Sequence, residues 1–394
     1  MNVVLSSRIG RVKPSPTLVA TARAAELRAA GEDIVSLTAG EPDFDTPAHI
    51  AEAGIAAIRA GQTRYTDVGG TPALKDAIIA KFEHDNELRY ARNQVLVSSG
   101  AKQTIYNLCM AVLDPGDEVV IPAPYWVSYP DMVGLADAHP VIVPTGPGLG
   151  YRMTAAQLEA AITPRTRLLI LCSPSNPTGA AYSRADLAAL GAVLRRHPRV
   201  LVCTDDMYEK IWWADEPFST IAQVVPELQA RTITVNGCSK AYAMTGWRIG
   251  YCGGPQEIIA AMATIQGQST SNPCSISQQA ALAALQGDQS CVAQMCAAYR
   301  ERHDLVVAGL NALPGIRVQP GAGTFYAFAD VTQAMGALGH ANDEAFTDFL
   351  LTRAGVAVVA GSGFGAPGHV RISFATSRSR LELALQRMDA ALKH

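Results

Sequence analysis

Nothing in this chain approaches the run of roughly 20 apolar residues that a membrane-spanning helix needs. Its apolar stretches are strand-sized, such as RLLILC and RVLVC, so no membrane partner is expected. Charge of one sign is also missing: with a net charge of −3 at pH 7, the chain lacks the basic footprint of a nucleic-acid binder. The eight cysteines include no CxxC pair, which leaves no disulfide framework to read and fits a reduced, cytoplasmic setting. Cys172, Cys203 and Cys252 lie in apolar, strand-like runs and read as small buried hydrophobes. No two histidines have metal-ligand spacing, so no metal is expected. The opening MNVVLSSRIGRVKPSP lacks the apolar centre of a secretion signal. Internal repeats, low-complexity segments and flexible linkers are absent too.

What is present is material for a large core. Of 394 residues, 48% are hydrophobic, enough for two or three domains at about 150 residues each. From residue 94 the pattern is regular. The strand-like runs QVLVSS, DEVVIP, PVIVP, RLLILCS, RVLVCTD and TITVN alternate with helical ones, two of which start at Thr154 and Ser183. Apolar strands alternating with helices indicate a mostly parallel sheet covered on both faces. Thr46-Pro47 and Thr71-Pro72 read as helix starts, threonine as N-cap and proline at N1. Beyond about residue 275 two Ala-rich helical stretches precede short strands at IRVQ, TFYAFAD, VAVVA and HVRISFA, which suggests a separate α+β domain that the strand near Ile34 joins. The expected division is an N-terminal segment over 1–46, a large domain over 47–285 and a small domain over 286–394.

The chemistry concentrates in NGCSKAYAMTGWRIG, residues 236–250. Lys240 follows a short apolar strand, so it should project into a cavity. Shielding from water disfavours its ammonium form and frees the amine for imine chemistry. Arg248, permanently charged and forked, suits a phosphate. This pairing is what a pyridoxal phosphate site needs, and other strand ends offer the remaining parts. SSGAK, residues 98–102, joins a strand to a helix whose first N–H groups can bind an anion, although such turns are common in any α/β protein. Asp205 ends an apolar strand, where it either pairs with a pyridine nitrogen or caps a helix; Tyr208 can reach the same pocket. Asn176 can direct its amide at the cofactor's phenolic oxygen, unless SPSNPTG is a plain turn. Trp126 either stacks on the ring or belongs to the core. Arg371, among Val, Ile and Phe, needs an anion if buried: a substrate carboxylate or a structural salt bridge.

Taken together and in this order, the blocks AGEPDFDTP, YTDVGGTPALKDAI, SPSNPTG, the lysine motif and HVRISFATS resemble the class I/II aminotransferases, pyridoxal 5'-phosphate enzymes of fold type I. The likeness runs from about residue 8 to 380. Within that family PYWVSYP and KAYAMTGWRIGY are most similar to the bacterial Iγ-type aspartate branch, some members of which also use prephenate. The resemblance implies a large domain built on a mostly parallel, seven-stranded sheet between helices, plus a smaller α+β domain. It also implies ping-pong transamination between an L-amino acid, aspartate first, and a 2-oxo acid. Lys240 would hold the cofactor as an imine and then move the proton, and Asp205 would bond the pyridine N–H. Asn176 and Tyr208 would bond the phenolic oxygen, with Trp126 stacked on the ring. Gly100, Ala101 and Arg248 would hold the phosphate, with Ser239 nearby, and Tyr65 would reach the phosphate in a neighbouring subunit, implying a homodimer with shared sites. Arg371 would take the α-carboxylate and Gly40 would line the substrate pocket. Lys102 would meet either a distal carboxylate or the phosphate. One departure stands out: many relatives carry a phosphate-binding serine where this chain has Gly237. The alternatives on the same fold are an aminotransferase for alanine, aromatic or prephenate substrates, a carbon–sulfur lyase or a decarboxylase. A cofactor-binding transcriptional regulator is disfavoured by the absence of a basic module.

Overall fold

The structure, a computed structural model, describes residues 3–393. The first strand, β1 (Val35–Ser36), pairs in parallel with the much later β11 (Val356–Ala357). The main sheet has seven strands: β2 (Val95–Ser98), β3 (Glu118–Ala123), β4 (His139–Pro144), β5 (Thr166–Cys172), β6 (Leu201–Asp205), β7 (Thr232–Gly237) and β8 (Gly250–Gly253). Their spatial order is β2-β8-β7-β6-β5-β3-β4. β8 is antiparallel to both neighbours, while the others run in one direction and all end at the same edge.

The apolar runs follow from burial on both faces. Val119 and Ile121 of β3, with Leu168 and Ile170 of β5, pack on one side with Ile105, Leu108, Ile259 and Met262 of the helices Ala101–Val112 and Gln256–Ser269. Val120, Leu169 and Leu171 point the other way, onto Leu187, Leu190 and Leu194 of the helix Arg184–Arg196. Three helix starts form as the sequence indicates: Thr71 caps Pro72–Asn86, and Thr154 and Ser183 close capping boxes. Thr46 does not cap. The helix Ala48–Arg59 has Pro47 as its N-cap, and the Thr46 hydroxyl donates to the Ala243 carbonyl at 2.7 Å and accepts from Trp247 Nε1 at 2.9 Å. Both partners belong to the lysine segment, so this threonine anchors the site rather than a helix.

The last third of the chain holds β9 (Arg317–Val318), β10 (Tyr326–Asp330), β12 (Val359–Ala360) and β13 (His369–Ser373), an antiparallel sheet of order β12-β13-β10-β9. Helices Ser290–Asn311, Asp343–Ala354 and Arg378–Leu392 cover it, and Val35 and Leu37 join its core. The sequence shows the seventh strand of the main sheet, β8, only as the strand-like run around Cys252, and the helix Gln256–Ser269 escapes a sequence reading. GYCG is four residues with two glycines, which lowers its strand signal. The glycine has a reason: a Cβ on Gly250 would lie 2.1 Å from the Ala101 nitrogen, so only glycine lets the helix Ala101–Val112 start against β8.

Candidate active site

A cavity of about 280 Å³ lies where the parallel strands end, closed on its other side by β10 and β13. The sequence candidates Gly40, Ala101, Lys102, Trp126, Asn176, Asp205, Tyr208, Ser239, Lys240, Arg248 and Arg371 all line it. Gly100 stands just behind, as the N-cap of the helix Ala101–Val112. Tyr65 is apart, 91% exposed, and does not reach the cavity of its own chain.

Lys240 enters from the turn after β7, and its Nζ donates to the Gly40 carbonyl at 2.5 Å. Burial, which disfavours the charged amine, pushes its pKa down from the ordinary lysine value to about 8, against the pull of Glu41. Across the cavity Arg371 is 2% exposed. Its Nη1 donates to Asn176 Oδ1 at 3.1 Å and its Nη2 to the Thr38 carbonyl at 2.9 Å, while Nε has no partner. The guanidinium is 4.4 Å from the Tyr326 ring centroid and 5.0 Å from that of Phe364. No carboxylate among the described residues pairs with it. Among the described residues it therefore makes no structural salt bridge, and the buried cation faces the cavity.

Asp205, at the carboxyl end of β6, accepts from the Tyr129 hydroxyl at 2.5 Å. Burial raises its pKa and the Tyr129 hydrogen bond opposes that rise. Asp206, next in sequence, lies behind the strand, outside the cavity, with Thr204 donating to it at 2.6 Å. Tyr208 and Tyr326 share a hydroxyl contact of 3.1 Å. Lys102 donates to Ser128 at 3.0 Å and sits 4.9 Å from the Trp126 ring centroid; burial, then Arg248, lower its pKa.

The helix start at Gly100 has the form of an anion cradle. Helical geometry leaves the first N–H groups, those of Ala101 and Lys102, without an intrahelical acceptor. Arg248 lies over this turn, Nη1 donating to the Thr245 carbonyl at 3.0 Å and Nη2 to that of Ser99 at 3.3 Å. A Cβ on Gly100 would come within 2.1 Å of that guanidinium, and its φ of +89° is itself a glycine conformation. Gly237 is explained too. It ends β7 against Gly250, and a Cβ there would be 2.9 Å from the Ile249 carbonyl and 3.0 Å from the Met207 methyl. A serine Cβ would have to push backbone aside there, while Ser239, two residues on, lines the cavity.

Sequence reasoning missed Tyr129 and Tyr326. Tyr129 sits three residues after Trp126 inside the quoted PYWVSYP; a helical turn brings its hydroxyl back to the cavity. Tyr326 carries no local signal, since its role follows from the β10–β13 pairing. Cys172, expected in the core, lines the cavity instead.

A softened lysine, an acid at a buried strand end, an anion cradle at a helix start and a buried guanidinium without an acid are the donor set of pyridoxal 5'-phosphate chemistry, and they fit that cofactor. The fold and site define a fold type I pyridoxal phosphate transferase. The chain belongs to the aminotransferase class I and II family, whose model matches residues 32–388, and it catalyses transamination with this cofactor. It is 54% identical over 394 residues to an aspartate/prephenate aminotransferase of Nitrosomonas europaea, covering 98% of this chain and 99% of that one. The crystal structure of the aspartate aminotransferase from Rhizobium meliloti superimposes with a TM-score of 0.95 at 48% identity, covering 100% of this chain and 99% of that one. Thermus thermophilus aspartate aminotransferase with maleate gives 0.93 at 43%, covering 99% and 100%.

Tyr129→Phe tests the support of Asp205. A charge-assisted hydrogen bond contributes about 1.5–3 kcal/mol and a neutral one about 1. A carboxyl whose folded pKa is raised loses its contribution to stability as pH climbs through that pKa, and removing Tyr129 raises it further. The cofactor-free variant should therefore unfold at lower denaturant than the parent, by a deficit that grows as pH rises above the ordinary carboxylate range. A deficit that is flat or shrinks with pH would contradict this arrangement.

Proposed function

We propose that the chain transaminates aspartate and glutamate with their 2-oxo acids, and that prephenate is a further amino acceptor. The observation that carries this reading is Arg371, a buried cation without an acid, facing an amine of lowered pKa across one cavity. The names of the relatives above support the substrate class, as does the maleate, a four-carbon dicarboxylate, with the Thermus protein.

The residues divide the work as follows. When bound, the cofactor supplies an electron-withdrawing ring that takes up the electron pair left as the substrate Cα–H bond breaks. Lys240 would hold the cofactor through its amine and would move the proton at the substrate Cα; its lowered pKa suits that work near neutral pH. Asp205 keeps the ring nitrogen protonated. Asn176 and Tyr208 serve the ring oxygen, and Trp126 covers the ring. Gly100, Ala101, Ser239 and Arg248 hold the phosphate, and Arg371 takes the α-carboxylate bidentately. Lys102, beside Trp126 and Ser128, takes the distal carboxylate. Residues 47–285 form the cofactor-binding domain, and 286–394 with the N-terminal segment 1–46 form the domain that carries Arg371. The protein works in the cytoplasm.

A donor screen with 2-oxoglutarate as acceptor tests the substrate. Aspartate should lead, and Lys102→Ala should lower kcat/KM for aspartate about ten- to a hundredfold, the equivalent of a charge-assisted bond of about 1.5–3 kcal/mol, while alanine is nearly untouched. Alanine, an aromatic or a basic donor leading in the parent would overturn the acidic specificity, and an equal loss on every donor would assign Lys102 to the phosphate. Pyruvate and ammonia released from a cysteine conjugate, without transamination, would mark a lyase.

The exposed Tyr65 is read as crossing to a second subunit's phosphate in a homodimer. Mixing Tyr65→Phe with Lys240→Ala under conditions of subunit exchange should restore activity above both parents, provided Tyr65→Phe is itself severe. Exchange without any gain would contradict shared sites.

A further inference from the structure

The segment that carries Asp205 and Tyr208 has a second face. Asp205 and Tyr208 turn into the cavity, whereas Glu209 turns away, toward the last turn of the helix Pro72–Asn86. There Lys81, its side chain 7% exposed, forms an ion pair with Glu209 Oε1. Lys81 also donates to Asn86 Oδ1 at 2.7 Å, and Asn86 Nδ2 donates to Glu209 Oε2 at 3.0 Å. The three side chains close a buried ring. A second acid, Asp85, stands 3.7 Å from Lys81 and pairs with Lys210 at 2.7 Å.

None of these groups lines the cavity, so the reaction has no direct use for them. Stability explains them poorly, because a buried ion pair often returns less than its desolvation costs, and an apolar pair of similar volume frequently replaces it without loss. What the ring does offer is direction. Asp205 itself is paired in β6 with β5 and β7, but past it the backbone is held by the turn hydrogen bonds Glu209 N to Asp206 O at 3.0 Å and Ile211 N to Tyr208 O at 2.9 Å and by Asp206 N to Val235 O at 2.9 Å, with the Tyr208–Tyr326 hydroxyl contact at its far side. The Asp205–Lys210 segment is not a helix or strand beyond its first residue. The ion pair from Lys81 and the hydrogen bond from Asn86 hold Glu209 from two fixed directions and set how far the turn rotates; Tyr208 lies in that turn and Asp205 heads it.

We propose that the Lys81–Glu209–Asn86 ring is a positioning device that fixes the orientation of Asp205 and Tyr208 toward the cofactor. The inference rests on the roles of Asp205 and Tyr208 proposed above. Lys81, Glu209 and Asn86 are positioning residues: they touch neither substrate nor cofactor, and a misplacement of the order of 1 Å at a reacting group can cost on the order of a hundredfold in rate.

The test compares Lys81→Met, Glu209→Gln and the double variant Lys81→Met/Glu209→Met. It reads the melting temperature of the cofactor-free protein, the Kd for pyridoxal 5'-phosphate, and kcat and KM for aspartate, each at a temperature where the protein is folded. Single variants leave a buried partner unpaired and should melt earlier. The double variant should recover most of the melting temperature that the single variants lose, Asn86 alone being left unpaired, but keep a Kd at least tenfold higher and a kcat at least tenfold lower. Its KM for aspartate should stay within threefold, because Arg371 and Lys102 lie outside the segment. Kd and kcat returning together with the melting temperature would overturn the proposal and leave the pair a structural one. So would a double variant that does not fold, since the ring would then be a requirement of folding itself. Asp205→Asn, measured alongside, separates the two claims: if it keeps the parent's rate the role of Asp205 fails, and if it is crippled while the double variant is not, only the positioning device fails.

Discussion

A guanidinium buried without an acid is the constraint around which this site is built. Arg371 lies on β13, in the middle of a small antiparallel sheet, where a charge has no solvent to lean on. The structure surrounds it with what a cation accepts short of neutralisation: two aromatic faces, a backbone carbonyl from residue 38 and the amide oxygen of Asn176. Those partners come from chain positions far apart. Thr38 follows β1, Asn176 follows β5, and Phe364 precedes β13. Holding them around one side chain brings the edge of the main sheet against the small one and leaves the cavity between them.

The opposite wall obeys the complementary rule. Lys240 and Asp205 sit at the ends of neighbouring parallel strands, β7 and β6, and burial pushes both away from their charged forms. A neutral amine is a nucleophile and a base. In the proposed function, the carboxyl held by Tyr129 would meet the protonated ring nitrogen. The wall thus costs electrostatic energy when empty of ligand charge and recovers it when a ligand brings opposite charges to each group. Gly100, Gly237 and Gly250 serve this wall by removing side chains where backbone and Arg248 must approach closely.

Much of this was legible in the sequence because parallel strands buried on both faces read as apolar runs, and the residue that follows each run falls at the shared edge. Lys240, Asp205, Asn176 and Trp126 were found that way, and the cavity brings them together. The antiparallel strand β8 was legible only as the short run around Cys252: its job is to let a helix start touch it, and glycine weakens the strand signal. Thr46 looked like a helix cap because capping and tertiary hydrogen bonding use the same hydroxyl, and only the fold decides between them. Tyr326 and the Lys81–Glu209–Asn86 ring had no local mark at all. The Tyr208–Tyr326 contact spans 118 positions and the contacts of Glu209 with the ring span 123 or more, and no periodicity encodes a partner at that distance.

The most direct test of the account is kcat/KM for aspartate and for alanine in Arg371→Met, with pyridoxal 5'-phosphate bound. Both substrates share the α-carboxylate, and two charge-assisted bonds at about 1.5–3 kcal/mol each are lost. The account predicts that both values fall by at least about a hundredfold and by similar factors, while the cofactor stays bound with an unchanged absorption band. Values within threefold of the parent would contradict it, because the buried guanidinium would then be waiting for something other than the substrate.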